Sequence, residues 1–138
     1  MRLPAPLLAT LAAFVGLVGL AAAAAEEAAP RTTRDGVYTV EQAERGRERY
    51  KRDCAGCHPV DWYKGEMIKP WEGAPLGNLY DLIVTTMPKN NPGSLKPREY
   101  VSLLAFILSL NDMPAGTAEL PEPVDDLRKI VIKWKEKP

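Results

Sequence analysis

Apolar residues recur at helical spacing in several segments of the chain, and polar or turn-forming residues separate these segments. The first such segment runs over residues 40–52. Thr39 directly precedes this segment, and Gln42 is its third residue. This is the capping-box pattern, which is typical of a helix N-terminus. We therefore predict a helix over residues 40–52. Its inward-facing positions, spaced by three and four, are Ala43, Gly46 and Tyr50.

Two further helices are predicted in the second half of the chain. Asn78 is a good N-cap residue, and the helix that follows it must end by Thr86 because Pro88 disfavours a helical conformation at the residue before it. Pro97 at a first helical position opens the third and most apolar helix, over residues 97–110. The wide apolar face of this third helix comprises Tyr100, Leu103, Leu104, Phe106, Ile107 and Leu110.

The segments before the first helix and after the third helix have less regular patterns of apolar residues. Residues 26–38 are mostly polar and lack a period, which predicts a flexible leader. In the tail, residues 121–138, apolar side chains again occur at helical spacing and predict a short helix that packs on the body. These side chains are Leu127, Ile130, Val131 and Trp134.

Residues 1–25 have the layout of a secretory signal peptide. Arg2 gives a positive start, an apolar run follows, and the alanines at 21–25 suit cleavage after Ala25. The alternative is an uncleaved membrane anchor, since residues 3–25 carry no charge. Cleavage would leave one domain, over residues 39–120, between the leader and the tail. The expected location is the periplasm, with membrane attachment only if the segment is retained.

Charge and composition exclude some classes of function. The chain of 138 residues has 18 basic and 18 acidic side chains, and its formal net charge is zero. Such a balance gives no general attraction to nucleic acid. We therefore expect no nucleic-acid partner.

The only two cysteines and the only histidine of the chain lie within five residues, as Cys54-Ala55-Gly56-Cys57-His58. C-x-x-C-H is the attachment pattern of c-type haem, in which the thiols form thioethers and the histidine binds the iron. A structural zinc site would need a fourth ligand, and no cysteine or histidine remains to supply it. A thioredoxin-like dithiol would need a βαβ pattern around the motif, which is not visible. The motif predicts one covalently attached haem.

A methionine is the expected second iron ligand because no second histidine exists and a thioether suits an electron carrier. Met1 would leave with the signal peptide. Met67 follows His58 by only nine residues, which makes it hard for the chain to cross from the proximal to the distal face of the haem. Met113 lies beyond the last long helix, where the chain should be leaving the haem. Met87 lies in a proline-limited loop directly after the second helix. We therefore predict His58 and Met87 as the two iron ligands.

These features together resemble a class I c-type cytochrome. The resemblance covers the C-x-x-C-H motif, Gly46 and Tyr50 of the first helix, and residues 103–107, which in that family cross the first helix near the glycine. The stretches Thr85-Thr86-Met87-Pro88 and Asn91-Pro92-Gly93-Ser94-Leu95 are similar to cytochromes that accompany periplasmic dehydrogenases, including quinoprotein alcohol dehydrogenases.

The resemblance implies an all-α fold of three to five short helices around one haem, and it also implies Met87 as the distal ligand. It implies that the Pro70 carbonyl, or alternatively that of Pro75, accepts a hydrogen bond from the proximal histidine. The segment 61–77 fits the family less well. Its aromatic residues would pack on the haem or donate hydrogen bonds to its propionates; they are Trp62, Tyr63 and Trp71.

The function implied is one-electron transfer in the periplasm and not catalysis. A dehydrogenase would be the electron donor, and an oxidase or another cytochrome the acceptor. Two alternatives stay open at this point. The chain could be a subunit fixed in a dehydrogenase complex, or a haem peroxidase or gas sensor with an exchangeable sixth ligand.

Overall fold

The computed structural model describes residues 31–134, and this part of the chain is helical. Within it there is no strand, and β pairing is confined to isolated bridges of Val131 with Thr32 and with Pro75. This agrees with the all-α prediction. The predicted signal peptide lies outside the described residues. The helices are α1 (Val40–Asp53), α2 (Leu76–Thr86), α3 (Pro97–Leu110) and α4 (Val124–Leu127), and two short 3-10 turns, Val60–Tyr63 and Lys69–Trp71, lie between α1 and α2.

None of the helices within residues 31–134 has the length and apolar character needed to cross a bilayer.

The centre of the fold is the crossing of α1 and α3. Residues 100–108 of α3 are all buried, and α1 lies against them through its predicted inward face. At the crossing, a Cβ atom on Gly46 would come within 1.9 Å of the Ser102 carbonyl oxygen and within 2.9 Å of the Phe106 Cβ. Glycine is therefore required here because the two helix backbones are in direct contact. Both the bounds of α3 and the crossing near Gly46 agree with the sequence-based expectation.

The N-terminus of α1 is capped as predicted, but Gln42 has a different role. The Thr39 hydroxyl accepts the hydrogen bond from the Gln42 amide at 3.1 Å. The Gln42 side chain does not bond back to the cap residue. Its amide nitrogen donates to the Leu120 carbonyl at 3.1 Å and its oxygen accepts from the Leu120 amide at 2.8 Å. Gln42 thus joins α1 to the segment that follows α3, and it is almost completely buried.

The prediction that Asn78 caps α2 is wrong, because the helix begins at Leu76. Pro75 is the N-cap residue, in an extended conformation. The first amides of a helix have no carbonyl partner within the helix. The Leu76 amide therefore donates to the Ile130 carbonyl, at 2.8 Å. Leu76 is fully buried, so tertiary packing determines where α2 begins.

The predicted tail helix is present only as α4; a turn follows at residues 128–130, and residues 131–134 are not helical. The Ile132 amide donates to the Ala74 carbonyl at 2.9 Å, and the Gly73 amide donates to the Ile132 carbonyl at 2.8 Å. Backbone hydrogen bonds to neighbouring segments therefore replace those of a helix.

Of the four side chains at the predicted helical spacing, Leu127 and Ile130 are buried, and Val131 and Trp134 are partly buried. Ile132, which is not part of that spacing, is fully buried.

The predicted flexible leader is also incorrect over the residues that the structure describes. Thr33 is fully buried, and its amide donates to the Val131 carbonyl at 2.9 Å. Tyr38 is buried, and its hydroxyl donates to the Met113 carbonyl at 2.6 Å. Residues 31–38 and 121–134 thus pack on the predicted domain of residues 39–120 and extend it. The Thr33 amide and the Tyr38 hydroxyl bond to backbone carbonyls far away in the sequence, and a sequence without a period does not reveal such bonds.

Substitution of Gly46 by alanine should destabilise the protein by roughly 2–3 kcal/mol or more. The added methyl group would overlap backbone atoms of α3, so the two helices must separate. The free energy of unfolding, measured with urea, tests this.

Gly56→Ala is the matched control, because a Cβ atom on Gly56 would have no neighbour within 4 Å. Its effect should be within about 0.5 kcal/mol of zero. Equal stability of the two variants would contradict a close crossing at Gly46.

Candidate functional site

A cavity of about 570 Å³ opens between the end of α1, the end of α2 and the buried face of α3. This volume lies within the range of about 300–1,000 Å³ that is usual for small-molecule and cofactor sites. The cavity brings together four of the five site residues predicted from the sequence, which are Cys54, Cys57, His58 and Met87. The apolar and aromatic side chains of its wall are Tyr50, Trp62, Tyr63, Met67, Leu82, Ile83, Leu95, Tyr100, Leu103, Phe106 and Ile107.

The C-x-x-C-H motif reaches the cavity because it forms a tight turn at the end of α1. The Cys54 amide still donates to the Tyr50 carbonyl at 2.9 Å, as in a last helical turn. The amides of Cys57 and His58 then both donate to the Cys54 carbonyl, at 3.1 and 2.9 Å. The turn directs all three side chains to one side of the chain, and the thiols do not form a disulfide.

Aromatic side chains surround His58. Its ring stacks on Trp62 with centroids 4.8 Å apart and an interplanar angle of 21°, and it meets Tyr63 edge-on at 6.0 Å. The Tyr50 hydroxyl donates to the His58 carbonyl at 2.7 Å. These contacts fix the backbone and restrict the ring of His58.

Two methionines line the cavity, Met67 and Met87, whereas Met113 is buried elsewhere. Met87 is the C-cap of α2, and its amide donates to the Ile83 carbonyl at 2.8 Å. Its carbonyl accepts from the Tyr100 hydroxyl at 2.8 Å. Met87 is therefore held at both its backbone polar groups, by α2 and by α3.

Pro70 is the predicted site residue that the structure does not bring to the cavity. It lies in the second 3-10 turn, is exposed, and is absent from the cavity wall. The alternative, Pro75, caps α2 and does not line the cavity either. Of the three aromatic residues in the segment 61–77, Trp62 and Tyr63 line the cavity and Trp71 does not.

The electrostatics of the cavity disfavour a reactive dithiol. Burial, assisted by the charge of Asp53, raises the pKa of the Cys54 thiol. Burial also raises the pKa of Tyr63, whose hydroxyl interacts with Cys54. A thioredoxin-like centre instead requires a lowered pKa at the attacking cysteine. At neutral pH the Cys54 thiol is thus uncharged in an apolar wall.

A zinc site also lacks support in the geometry. Over residues 31–134, no three or more His, Cys, Asp or Glu side chains are grouped so that they could hold a metal ion. The groups at the cavity that could bind a metal are two thiols, one imidazole, two thioethers and the carboxylate of Asp53, which is already paired with Arg49 at 2.8 Å. Thioethers are axial ligands of haem iron in cytochromes c, and they are not among the usual ligands of zinc.

The cavity wall suits a large apolar group. Of the three large hydrophobic side chains that are conspicuously exposed within residues 31–134, two line this cavity: Trp62 at 49% and Leu82 at 46%. A flat apolar group bound there would cover them. Such exposed apolar surface in a concave site is a mark of ligand binding. The residues present therefore fit a haem that is held through the motif.

A second, larger cleft of about 740 Å³ lies between α1, the start of α3 and residues 119–122. Its walls are charged, and ion pairs cross it. Arg45 pairs with Glu119 at 2.5 Å, and Arg49 pairs with Glu99 at 3.1 Å. These charged side chains pair with one another across the cleft. They therefore do not form a group of donors that point at one ligand.

The comparisons with known proteins give no match. No protein-family model matches the chain, no curated protein is significantly similar to it, and no solved structure is significantly similar to its fold. The functional argument therefore rests on the sequence motif and on the cavity.

Tyr100 lines the cavity, although the sequence pattern predicts it only as part of the apolar face of α3. A signal was present, since a tyrosine on an otherwise apolar buried face needs a hydrogen-bond partner for its hydroxyl. The identity of that partner, the Met87 carbonyl, depends on how the loop folds back onto α3.

Proposed function

We propose that this protein is a class I c-type cytochrome that transfers single electrons in the periplasm. The observation that carries the proposal is the meeting of the C-x-x-C-H motif and Met87 in one apolar cavity. The motif is specific for covalent haem attachment. The distal thioether, the cavity volume and the exposed apolar wall support the same assignment.

Four residues would hold the haem. Cys54 and Cys57 would carry the thioether bonds, His58 would be the proximal ligand, and Met87 the distal ligand. His58 is restrained by stacking on Trp62, and Met87 by its backbone hydrogen bonds. When bound, the haem supplies the Fe(III)/Fe(II) couple.

The remaining wall residues exclude water and keep the site rigid. The α3 side chains Leu103, Phe106 and Ile107 are buried in the crossing with α1 and cannot move without disturbing it. A rigid, dry site with two protein ligands favours electron transfer over substrate binding. The rim is polar, with Lys89 and Asn90 exposed at the edge of the cavity. We assign the rim to contacts with a dehydrogenase as donor and an oxidase or another cytochrome as acceptor.

Covalent attachment gives the first test of the proposal. The purified protein, denatured in acid and acetone, should keep its colour, and its mass should exceed that of the mature chain by one haem. The variant with both Cys54→Ser and Cys57→Ser should be colourless and largely unfolded, because the apolar wall then lacks its ligand.

Gly56→Ala is again the control, because it alters the motif between the cysteines at an exposed position without contacts. It should keep the colour. Complete extraction of the colour from the unmutated protein would exclude a c-type haem.

The distal ligand is tested by substitution of each methionine outside the signal segment. Met87→Ala should abolish the weak red absorption band of the sulfur–iron bond in the oxidised protein and allow cyanide to bind. It should also lower the reduction potential by roughly 0.2 V, since axial ligation spans about 0.8 V and methionine favours the reduced state.

Met67→Ala and Met113→Ala are the controls. Met67 lines the same cavity, so it is the stricter one. Loss of the band in Met67→Ala and its retention in Met87→Ala would assign the distal position to Met67.

A carrier and a peroxidase differ in their reaction with peroxide. The intact protein should show one midpoint with a one-electron slope at an electrode and negligible peroxide turnover. His58 is the only histidine and would be bound to iron, so no distal histidine is present as an acid–base catalyst. Substantial peroxide turnover by the unmutated protein would favour the enzyme instead.

A further inference from the structure

The loop that carries Met87 has few attachments to the rest of the molecule. Residues 87–96 connect α2 to α3, and most of them are exposed. The backbone hydrogen bonds of residues 88–95 lie within the loop, such as that from the Asn91 amide to the Pro88 carbonyl at 2.9 Å. The Met87 amide is held to the end of α2 by its bond to the Ile83 carbonyl at 2.8 Å, but the loop that follows gives the Met87 carbonyl little support of its own.

Tyr100 supplies an attachment from outside the loop. It lies in the first turns of α3, is 2% exposed and lines the cavity. Its hydroxyl donates to the Met87 carbonyl at 2.8 Å across thirteen residues of sequence. Within the part of the chain that the structure describes, this is the one side-chain hydrogen bond to residues 87–95 from a residue outside them. The Gly93 amide makes only a long contact, 3.4 Å, to the same carbonyl.

The two tyrosine contacts at the cavity differ in their importance. Tyr50 holds the His58 carbonyl, but His58 directly follows Cys57 and would be kept in place by the covalent bonds of the motif. Met87 has no covalent attachment. A hydrogen bond to its backbone therefore has more effect on whether its side chain stays at the site.

We propose that Tyr100 is a positioning residue for the distal ligand, acting through its hydrogen bond to the Met87 carbonyl. This inference rests on the proposed function, since it takes Met87 as an iron ligand. Removing the hydroxyl leaves a partly buried carbonyl with only a weak contact and raises the fraction of molecules in which Met87 is off the iron. A neutral hydrogen bond of ordinary strength corresponds to an increase in that fraction of about five-fold.

The test is Tyr100→Phe, which keeps the ring and its edge-on packing against Tyr80 at 6.2 Å. Cyanide binds the oxidised iron only when the distal ligand is off, so its apparent affinity follows that fraction. Tyr100→Phe should raise the apparent cyanide affinity about five-fold and should weaken the sulfur–iron band.

Tyr38→Phe is the matched control. The Tyr38 hydroxyl makes the same kind of bond, to the Met113 carbonyl at 2.6 Å, and it is equally buried, but neither residue lines the cavity. Both variants should lose stability to urea, because each loses a hydroxyl-to-carbonyl hydrogen bond made by a buried tyrosine. Only Tyr100→Phe should change cyanide binding. In a Met87→Ala background, Tyr100→Phe should have no further effect on cyanide affinity, since no distal ligand is left to position.

The outcomes separate this inference from the proposed function. An unmutated protein without the sulfur–iron band would refute the iron ligation itself. A normal band in the unmutated protein, together with equal cyanide affinity in Tyr100→Phe and Tyr38→Phe, would refute the role of Tyr100 alone. Failure of Tyr100→Phe to fold where Tyr38→Phe folds would also refute it, because the hydroxyl would then serve the fold as a whole.

Discussion

The backbones of α1 and α3 approach each other so closely at Gly46 that even a methyl group would collide with the Ser102 carbonyl. The rest of the structure depends on this contact. It fixes the end of α1, where the C-x-x-C-H turn begins, relative to the α3 side chains Leu103, Phe106 and Ile107 that line the cavity. A wider crossing would separate the motif from one wall of its own site. The packing of α1 against α3 thus determines where the C-x-x-C-H motif lies relative to the cavity wall.

Polar side chains that bond to distant backbone hold the remaining segments in place around this crossing. Gln42 bonds to both backbone groups of Leu120, and Asn111 accepts from the Gly65 amide and donates to the Tyr63 carbonyl. Each of these side chains is almost completely buried. Buried amides with satisfied partners specify a unique arrangement, because any displacement leaves polar groups without hydrogen bonds. Single buried side chains therefore help to order the segments before α2 and after α3, together with their short helical turns and backbone hydrogen bonds.

The sequence predicted the parts of the fold that local patterns control. The bounds of α3, the cap at Thr39 and the buried face of α1 follow from helical periodicity and capping rules, and all are present. The start of α2 and the non-helical end of the tail could not be predicted in this way. Their conformations depend on hydrogen bonds between residues far apart, such as that from the Leu76 amide to the Ile130 carbonyl.

The candidate site, like the fold, could be predicted only where residue type and spacing carry the information. The motif and Met87 were found from residue type and spacing, and the structure brings them to one cavity. Pro70 was carried over from a resemblance, and it lies outside that cavity. Tyr100 was not connected with the site because its partner is a backbone carbonyl, and a carbonyl has no signature in a sequence.

The central claim is that His58 and Met87 bind one iron atom within this cavity. X-ray absorption at the iron edge of the oxidised protein tests it most directly, because the method identifies the atoms bound to the metal. The account predicts a sulfur atom among the nearest neighbours of the iron, together with nitrogens, and its disappearance in Met87→Ala but not in Met67→Ala. An iron centre with only nitrogen and oxygen neighbours in the unmutated protein, or no iron at all, would contradict it.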